Sequence, residues 1–375
     1  LNGQNLGQIG NAVSISDPST SKQGFDMVYG NDGYVYYAFS EEYDITINKI
    51  SNSGSEEWSV SSVQNSADDI IKSIYPLPDS GCLIIYESQS WQTGSQLYAL
   101  LLDENGVSEG GGSILLSDLN GDQYFEASII VNDGVFISFK DDSSGDYDLY
   151  GQYLSFDGNL NFGDSGLEIS SNSNDQEESS VTFNDTLNEV LCCYESSVGS
   201  ETDLLCNIIS LSTDEVGSEL VISSDVNNQE NPDVFWSGFS YLIAWEDYRN
   251  SASSDLDIYF QEYIDGDFSF PDGGYSLCNY PMKQETPVIA QYTMSSFVVI
   301  WEDYRSTGKE FCANLYGQSF SSGCPNLGDM NGDGGWNVLD IVALANCVLA
   351  SSCDDLDNGC AGDMNGDGGW NVLDI

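Results

Sequence analysis

The 375-residue sequence contains no histidine, and only eight lysines and arginines against 61 aspartates and glutamates. A formal charge of −53 excludes nucleic acid and anionic membrane as partners, because both are held by cationic side chains. Without histidine there is no Ser-His-Asp triad and no imidazole base. The absence of histidine and of any C-x-x-C pair also argues against a zinc site. No apolar run is long enough to span a membrane. The chain opens on "LNGQNLGQIG", with no initiator Met and no signal peptide, and so reads as a mature form or a fragment.

What is present is ample for a core. Hydrophobic residues make up 40%, with 22 Tyr, 16 Phe and 7 Trp. Abundant Gly and Ser between short β-rich runs point to an all-β fold. The ten cysteines, an even number in an acidic chain, suit disulfides and an oxidising, extracellular compartment. Cys193 and Cys206 are placed to face each other across a hairpin, and Cys353 and Cys360 to close a short acidic loop, although spacing alone does not fix the pairing. The bulk acidity serves solubility, whereas the clustered Asp residues near the C-terminus suggest divalent cations.

A repeat of about fifty residues runs through the first part of the chain. It is clearest in "NNQENPDVFWSGFSYLIAWEDYRNSASSDLDIYFQEY" (227–263) and "MKQETPVIAQYTMSSFVVIWEDYRSTGKEFCANLYGQSF" (282–320). Three anchors fix six copies. The first is Gln23, Gln123, Gln176, Gln229 and Gln284, with Asp69 in the second copy. The second is an aromatic: Phe39, Tyr86, Phe139, Tyr194, Trp245 and Trp301. The third is a strand core at Leu149/Gln152, Ile258/Gln261 and Leu315/Gln318, with Ile45, Leu97 and Leu204 as looser members. Each copy reads as a short strand, a very apolar strand, an amphipathic strand and a looser trailing segment. Four strands per unit at this period is the signature of a β-propeller blade, and the apolar second strand requires cover on both faces. The sixth copy has no trailing strand of its own, and residues 2–16 resemble one. The expected fold is therefore all-β, a six-bladed β-propeller closed by an N-terminal strand.

The blades offer little obvious chemistry. Arg249 and Arg305 are the only arginines, too few for the three-arginine clamp of sialidase propellers. Both lie in "WEDYR", where pairing with Asp247 and Asp303 in a structural role is expected. Carboxylate-pair glycosidase chemistry stays open, but no acid stands out from the repeat. The run "DDSSGDYD" (141–148) could hold calcium, though such turns also form without metal.

The segment "GDMNGDGGWNVLDI" occurs at 328–341 and again at 362–375. Counting from Asp329, oxygen ligands fall at Asp329, Asn331, Asp333, Gly335 (backbone carbonyl), Asn337 and Asp340. The second copy supplies Asp363, Asn365, Asp367, Gly369, Asn371 and Asp374. This is the twelve-residue calcium loop of an EF-hand, with Gly334 and Gly368 at the sharp turn. After the first loop, "VLDIVALANCVLASS" (338–352) has helical spacing, with Leu339, Val342, Leu344, Ala345, Val348 and Leu349 as its apolar face.

Two such loops about 34 residues apart, the first followed by one helix, resemble a dockerin. The resemblance covers about 50 residues and implies calcium binding and docking to a cohesin-like partner. At the family's recognition pair, often polar, stand Val338-Leu339 and Val372-Leu373. The second loop is not followed by a helix, so a similar helix is expected from a continuing chain or from a partner. The expected organisation is a propeller over 1–322 and, from within the linker "SSGCPN" (321–326) onward, a small α-helical calcium-loop module over 323–375. The expected function is that of a secreted or cell-surface, calcium-binding interaction and structural protein, assembled through its own copies or a cohesin-like partner. A carbohydrate-active enzyme tethered by a dockerin is the alternative.

Overall fold

The computed structural model describes residues 22–41, 43–62, 67–108, 112–199, 201–252, 254–293, 296–305, 313–321, 328–331, 335–350, 352–353, 356, 359–362, 364, 370–371 and 374. It falls into two compact units, Leu1–Leu115 and Leu116–Ile375. The expected closing strand at 2–16 lies outside the described residues.

Among the described residues the strands form six antiparallel sheets, one per sequence repeat. The first unit holds sheet 1 (Lys22–Tyr29, Val35–Glu41, Asp44–Ile50, Glu56–Ser62) and sheet 2 (Asp68–Pro76, Cys82–Ser90, Gly94–Leu102, Ile114–Leu115). The second unit holds sheet 3 (Gln123–Val131, Gly134–Asp141, Asp148–Ser155, Leu167–Ser170) and sheet 4 (Gln176–Asn184, Glu189–Val198, Glu201–Ser210, Leu220–Ser223). It also holds sheet 5 (Gln229–Trp236, Tyr241–Asp247, Asp257–Ile264, Tyr275–Cys278) and sheet 6 (Gln284–Thr293, Ser296–Asp303, Asn314–Ser321). Short extra strands, Glu215–Val216 and Asp267–Phe268, extend sheets 4 and 5. Within each unit, successive small sheets stack face to face, the blade arrangement of a β-propeller. A single α-helix, Val338–Ala350, follows.

In sheets 1 to 5 the second strand of the repeat is buried nearly throughout because its two faces serve two cores, whereas in sheet 6 only the face of Phe297, Val299 and Trp301 is buried and Ile300 is exposed. In sheet 4, Val190, Cys192 and Tyr194 pack toward sheet 3, while Leu191 and Cys193 pack toward sheet 5. In sheet 5, Tyr241, Ile243 and Trp245 face sheet 4, and Leu242 and Ala244 face sheet 6. In the first unit, Tyr36 and Ala38 of sheet 1 share a core with Ile71, Ile84, Tyr86 and Leu100 of sheet 2. Burying one such side chain contributes about 1.5–3 kcal/mol.

The sequence anchors have distinct mechanical duties. The Gln at the start of the first strand clamps the loop that leads into it. Gln229 Nε2 donates to the carbonyls of Asp225 (3.3 Å) and Asn227 (2.8 Å), and Gln123 Nε2 to those of Leu119 (3.1 Å) and Gly121 (2.8 Å). Gln176 and Gln284 repeat the pattern. The Gln of the third strand fixes the trailing segment instead. Gln152 Nε2 donates to Gly163 O (2.8 Å), and its Oε1 accepts from Phe162 N (3.2 Å); Gln261 holds Phe270 in the same two-way fashion.

The arginines pair as expected. Arg249 Nε donates to Asp247 Oδ1 (2.8 Å), and its Nη2 reaches Ser223 Oγ and Gly273 O, both at 2.9 Å. Its guanidinium lies 4.1 Å from the Tyr259 ring centroid. Arg305 repeats the pairing with Asp303 and stacks on Tyr280 and Tyr316, but meets Cys278 Sγ (2.7 Å) where Arg249 meets Ser223. The Arg305 guanidinium holds the Asp303 carboxyl below its usual range, against the opposing effect of burial. The turn 141–148 is knit by its own bonds, Gln123 Nε2 and Ser143 N both donating to Asp141 at 2.9 Å, and no metal-sized acid cluster forms there.

Cys193 and Cys206 are directly opposite in the sheet 4 hairpin and form a disulfide. Cys353 bonds to Cys347 and not to Cys360 as the acidic loop suggested. The last turn of the helix carries Cys347 back over Cys353, a nearness that linear spacing did not show. Cys82, Cys192 and Cys278 are free and buried.

Arg249→Ala leaves Asp247 buried without its cation and is expected to cost about 3–5 kcal/mol. Chemical denaturation of the two proteins measures this, and a loss under about 1 kcal/mol contradicts the structural role.

Candidate functional site

Two arrangements carry chemistry: the C-terminal loops, and a series of glutamates on the first and second strands of sheets 3 to 6.

In the first loop, Asp340 ties the segment together. Its Oδ1 accepts from Asn331 N (3.2 Å) and its Oδ2 from Asn337 N (2.8 Å). Asp340 N in turn donates to Asn337 O (3.2 Å), and Asn337 Oδ1 accepts from Leu339 N (2.9 Å), starting the helix. The second loop repeats the core of this: Asn371 N donates to Asp374 Oδ2 (2.8 Å) and Asp374 N to Asn371 O (3.2 Å). Asp329, Asp340 and Asp374 are only 2%, 4% and 5% exposed. The segment 328–375 contains no Lys or Arg to compensate them. Buried carboxylates in a cation-free segment fit a hard, oxygen-seeking cation. Asn331 is exposed, and Gly335 accepts from Asn337 Nδ2 (3.1 Å). Asp333, Asp363, Asn365, Asp367 and Gly369 lie outside the described residues. Among the described residues, no three acid or thiol side chains gather as a metal cluster.

The helix Val338–Ala350 does not use its apolar residues as the periodicity suggested. Leu344 and Cys347 are buried against Met330, Cys353 and Ala361, with Val348 beside them. Leu339, Val342 and Leu349 are exposed, Leu349 to 86%. Helical spacing identified apolar positions but merged two stripes into one. The exposed stripe continues into Val338, Ile341 and Trp336. The duplicated loops are also covered unequally. Met330 is buried but its counterpart Met364 is half exposed, and Trp370 donates to Gly359 O (2.7 Å) while Trp336 is 79% exposed. A cavity of about 460 Å³, lined by Trp336, Ile341, Leu344 and Met364, opens on that side.

In sheets 4, 5 and 6 glutamates stand directly opposite one another: Glu177 with Glu195, Glu230 with Glu246, Glu285 with Glu302. Like charges across a strand pair repel, so three such pairs in register need compensation. For the first two pairs it comes from neighbouring sheets, and for the third from Tyr304, just after sheet 6's own second strand. Each first strand carries a bulge, with Glu178, Asn231 and Thr286 at φ of 49°, 51° and 52°. The bulge turns a backbone N–H outward to the previous sheet. Asn231 N donates to Glu195 Oε1 and Thr286 N to Glu246 Oε1, both at 2.7 Å, and Ser179 N donates to Glu126 Oε2 (2.9 Å). Lys140 bridges Glu126 (3.1 Å) and Glu177 (2.9 Å). Tyr304 Oη lies 2.7 Å from Glu285 and 3.2 Å from Glu302, donating its one proton between them.

Burial pushes the Glu195 carboxyl up to about 8, with Glu230, Glu178 and Glu177 adding to it and the Asn231 N–H offsetting part. Burial also raises Glu246, and raises Glu126 against the opposing charge of Lys140. A carboxyl that burial inclines to keep its proton, set beside other carboxyls, is a starting point for acid–base chemistry on a neutral bond. The sequence signal was present, since Glu177, Glu230 and Glu285 each follow a Gln anchor, and Glu195, Glu246 and Glu302 each follow an aromatic anchor.

Residues 327–375 match the dockerin type I domain. That model covers the C-terminal module alone. No curated protein matches the chain. Among solved structures, the chain is similar to the α-L-arabinanase of Penicillium chrysogenum complexed with arabinobiose, at 11% identity over 75% of this chain and 88% of that one, with a TM-score of 0.45. It is similar to the α-L-arabinofuranosidase of Fusarium graminearum in complex with arabinobiose, at 12% identity over 82% and 94%, with a TM-score of 0.43. A protein of unknown function from Dyadobacter fermentans is similar at 10% identity over 80% and 94%, with a TM-score of 0.43. Dockerin type I domains bind calcium. Among the described residues, no helix is long and apolar enough to cross a membrane.

Because Glu195 holds its proton in the folded chain up to about pH 8 and releases it well below that when unfolded, its contribution to stability falls as pH rises between those values. Glu195→Gln removes that dependence. The variant should match the parent in thermal unfolding at pH 5 and exceed it at pH 8, and parallel curves at both pH values contradict the raised pKa of Glu195.

Proposed function

We propose that this chain is a secreted or cell-surface protein that its dockerin-type module fastens, in the presence of calcium, to a protein partner. The observation that carries this is the pairing of buried acids with an exposed apolar stripe in one small segment. Asp329, Asn331, Asp333, Gly335, Asn337 and Asp340 would hold one calcium ion, and Asp363, Asn365, Asp367, Gly369, Asn371 and Asp374 the other. The bound ion supplies the positive charge that the segment lacks, and so couples its folding to metal. Trp336, Val338, Leu339, Ile341 and Leu349 form the partner face, apolar and unusually exposed. A cohesin-like domain with a matching apolar patch is the first candidate partner, and a second copy of the chain the other. In this reading 1–322 is the cargo and 323–375 the attachment module.

For the cargo, the opposed glutamates favour the enzymatic reading over a purely structural one. Glu195 would act as the acid, with Glu177 or Glu230 as the second carboxyl of the pair, in the hydrolysis of a glycosidic bond. The formal charge of −53 disfavours acidic polysaccharides and leaves neutral ones.

Chelation with EDTA should open 328–374 to protease while the sheets remain intact, and should abolish partner binding. Asp340→Ala should do the same without chelator, weakening binding at least about 100-fold. Unchanged protease resistance in EDTA contradicts the calcium-dependent module. Separately, neutral polysaccharides should release reducing sugar with the parent chain, and Glu195→Gln or Glu230→Gln should lower the rate about 100-fold or more. No release from any neutral polysaccharide removes the enzymatic reading and leaves attachment standing.

A further inference from the structure

The first unit contains a cavity that neither attachment nor glutamate chemistry uses. It measures about 490 Å³ and lies among Val60 of sheet 1, Tyr86, Ser88, Tyr98 and Leu100 of sheet 2, and Ser113. Its origin is local. The fourth strand of sheet 2, Ile114–Leu115, has two residues, whereas those of sheets 3, 4 and 5 have four. The shortened strand leaves the outer part of the sheet open over the aromatic anchor Tyr86. On the far side, Gly106 has φ of 75° and lets Trp58 close in, since a Cβ there would meet the indole at 2.9 Å.

Among the described residues the walls are aromatic, aliphatic and hydroxyl-bearing, with no charged side chain. Tyr86 and Tyr98 stack with ring centroids 5.6 Å apart. Tyr86 Oη donates to Ser113 Oγ (2.7 Å), so Ser113 still has its own proton to give, and Tyr98 Oη donates to Gln96 Oε1 (3.1 Å), leaving the phenol oxygen as an acceptor. Ser88, on the same face of the strand as Tyr86, stands directly opposite Asp69. Asp69 replaces the Gln anchor of the other repeats. It is wholly buried, and neither carboxylate oxygen has a formed hydrogen bond, although the Ser88 hydroxyl is near enough to ease its burial. Among the described residues no Lys or Arg lines the cavity, and Asp44 and Asp68 stand near Asp69, so an anion is disfavoured.

We propose that this cavity is a binding site for a small neutral polyol of monosaccharide size, its hydroxyls exchanging hydrogen bonds with Ser88, Ser113 and Tyr98 beside the Tyr86–Tyr98 pair. The volume falls within the range of small-molecule sites, and a few convergent polar groups on an apolar floor is their usual construction. A site made to accept hydroxyl protons discriminates strongly against ligands that lack them. The proposal does not rest on hydrolysis, because Glu195 and Glu230 belong to the other unit.

The test is saturation-transfer NMR on the full chain with xylose and glucose as probes, and with choline as a cationic control. Saturable sugar binding is expected, weakened roughly tenfold by Ser113→Leu, which fills the cavity, and by a smaller factor by Tyr98→Phe, which removes one hydroxyl and leaves the packing. Tyr98→Phe keeps the test decisive if Ser113→Leu does not fold. Absence of saturation up to about 100 mM sugar overturns the proposal, as does binding that neither variant changes. Tighter binding of choline than of either sugar overturns the polyol assignment.

Discussion

The structure depends on one constraint: in sheets 1 to 5 the second strand of the repeat is apolar on both sides and cannot face water with either, whereas that of sheet 6 is buried on one face only. A strand such as Tyr241–Asp247, buried along its whole length, is stable only between two other sheets. Stacking is therefore imposed by the sequence of a single strand, and the remaining strands of each sheet adapt to it. The loops that carry the chain from one sheet to the next must then be held close to the stack. Buried Gln side chains do this by donating to two loop carbonyls at once, satisfying backbone groups that the stacking removes from water.

The same constraint places the acids. A first strand packed against its predecessor cannot run as a regular ladder while also presenting a donor sideways. The bulges at Glu178, Asn231 and Thr286 resolve this by accepting left-handed backbone at non-glycine residues, at a cost of about 1–3 kcal/mol each. What the strain gives is an N–H aimed at the glutamate of the neighbouring sheet. Glu195 and Glu246 are thus desolvated by the stack and each given a neutral backbone donor, to which Asn231 adds its side chain at Glu246. That combination stabilises a carboxyl without forcing it to ionise. Asp247 and Asp303, one residue further on, receive an arginine instead. Neighbouring acids in the same motif have opposite electrostatic fates, decided by which sheet face each occupies.

Much of this was legible in the sequence because repeated structure leaves repeated letters. The Gln and aromatic anchors fell where strands begin and pack, and the "WEDYR" pairing was forced by the scarcity of arginine. Two things were not legible. The opposed glutamates obey the repeat, so a search for an acid that departs from it passes over them; only the register of strand pairing turns Glu177 and Glu195 into neighbours. The helix was found but its inner face was not, because Leu339 and Leu344 look equivalent at helical spacing and differ only in what lies against them. The bond from Cys353 to Cys347 belongs to the same class, a contact made by a helix turning back on its own exit.

The C-terminal module inverts the logic of the sheets. The sheets bury apolar side chains and give buried acids such as Asp247 and Asp303 an arginine, whereas the module buries three aspartates in a segment without Lys or Arg and exposes Trp336, Val338, Leu339 and Leu349. Either half of that inversion is unfavourable for an isolated segment of this size. Carboxylates removed from water without a cation cost several kcal/mol, and an apolar stripe left in water forgoes the stabilisation that burial gives elsewhere in the chain. Both costs are relieved by binding, the first by a divalent ion and the second by a protein surface. They are coupled, because Asp340 holds the N–H of Asn337 in the loop and sits in the first turn of the helix that bears the stripe. An ion held by Asp340, as proposed, would fix the start of that helix and with it the orientation of Val338 and Leu339. Metal affinity and partner affinity should therefore rise and fall together, as linkage requires of two ligands that share one ordered segment.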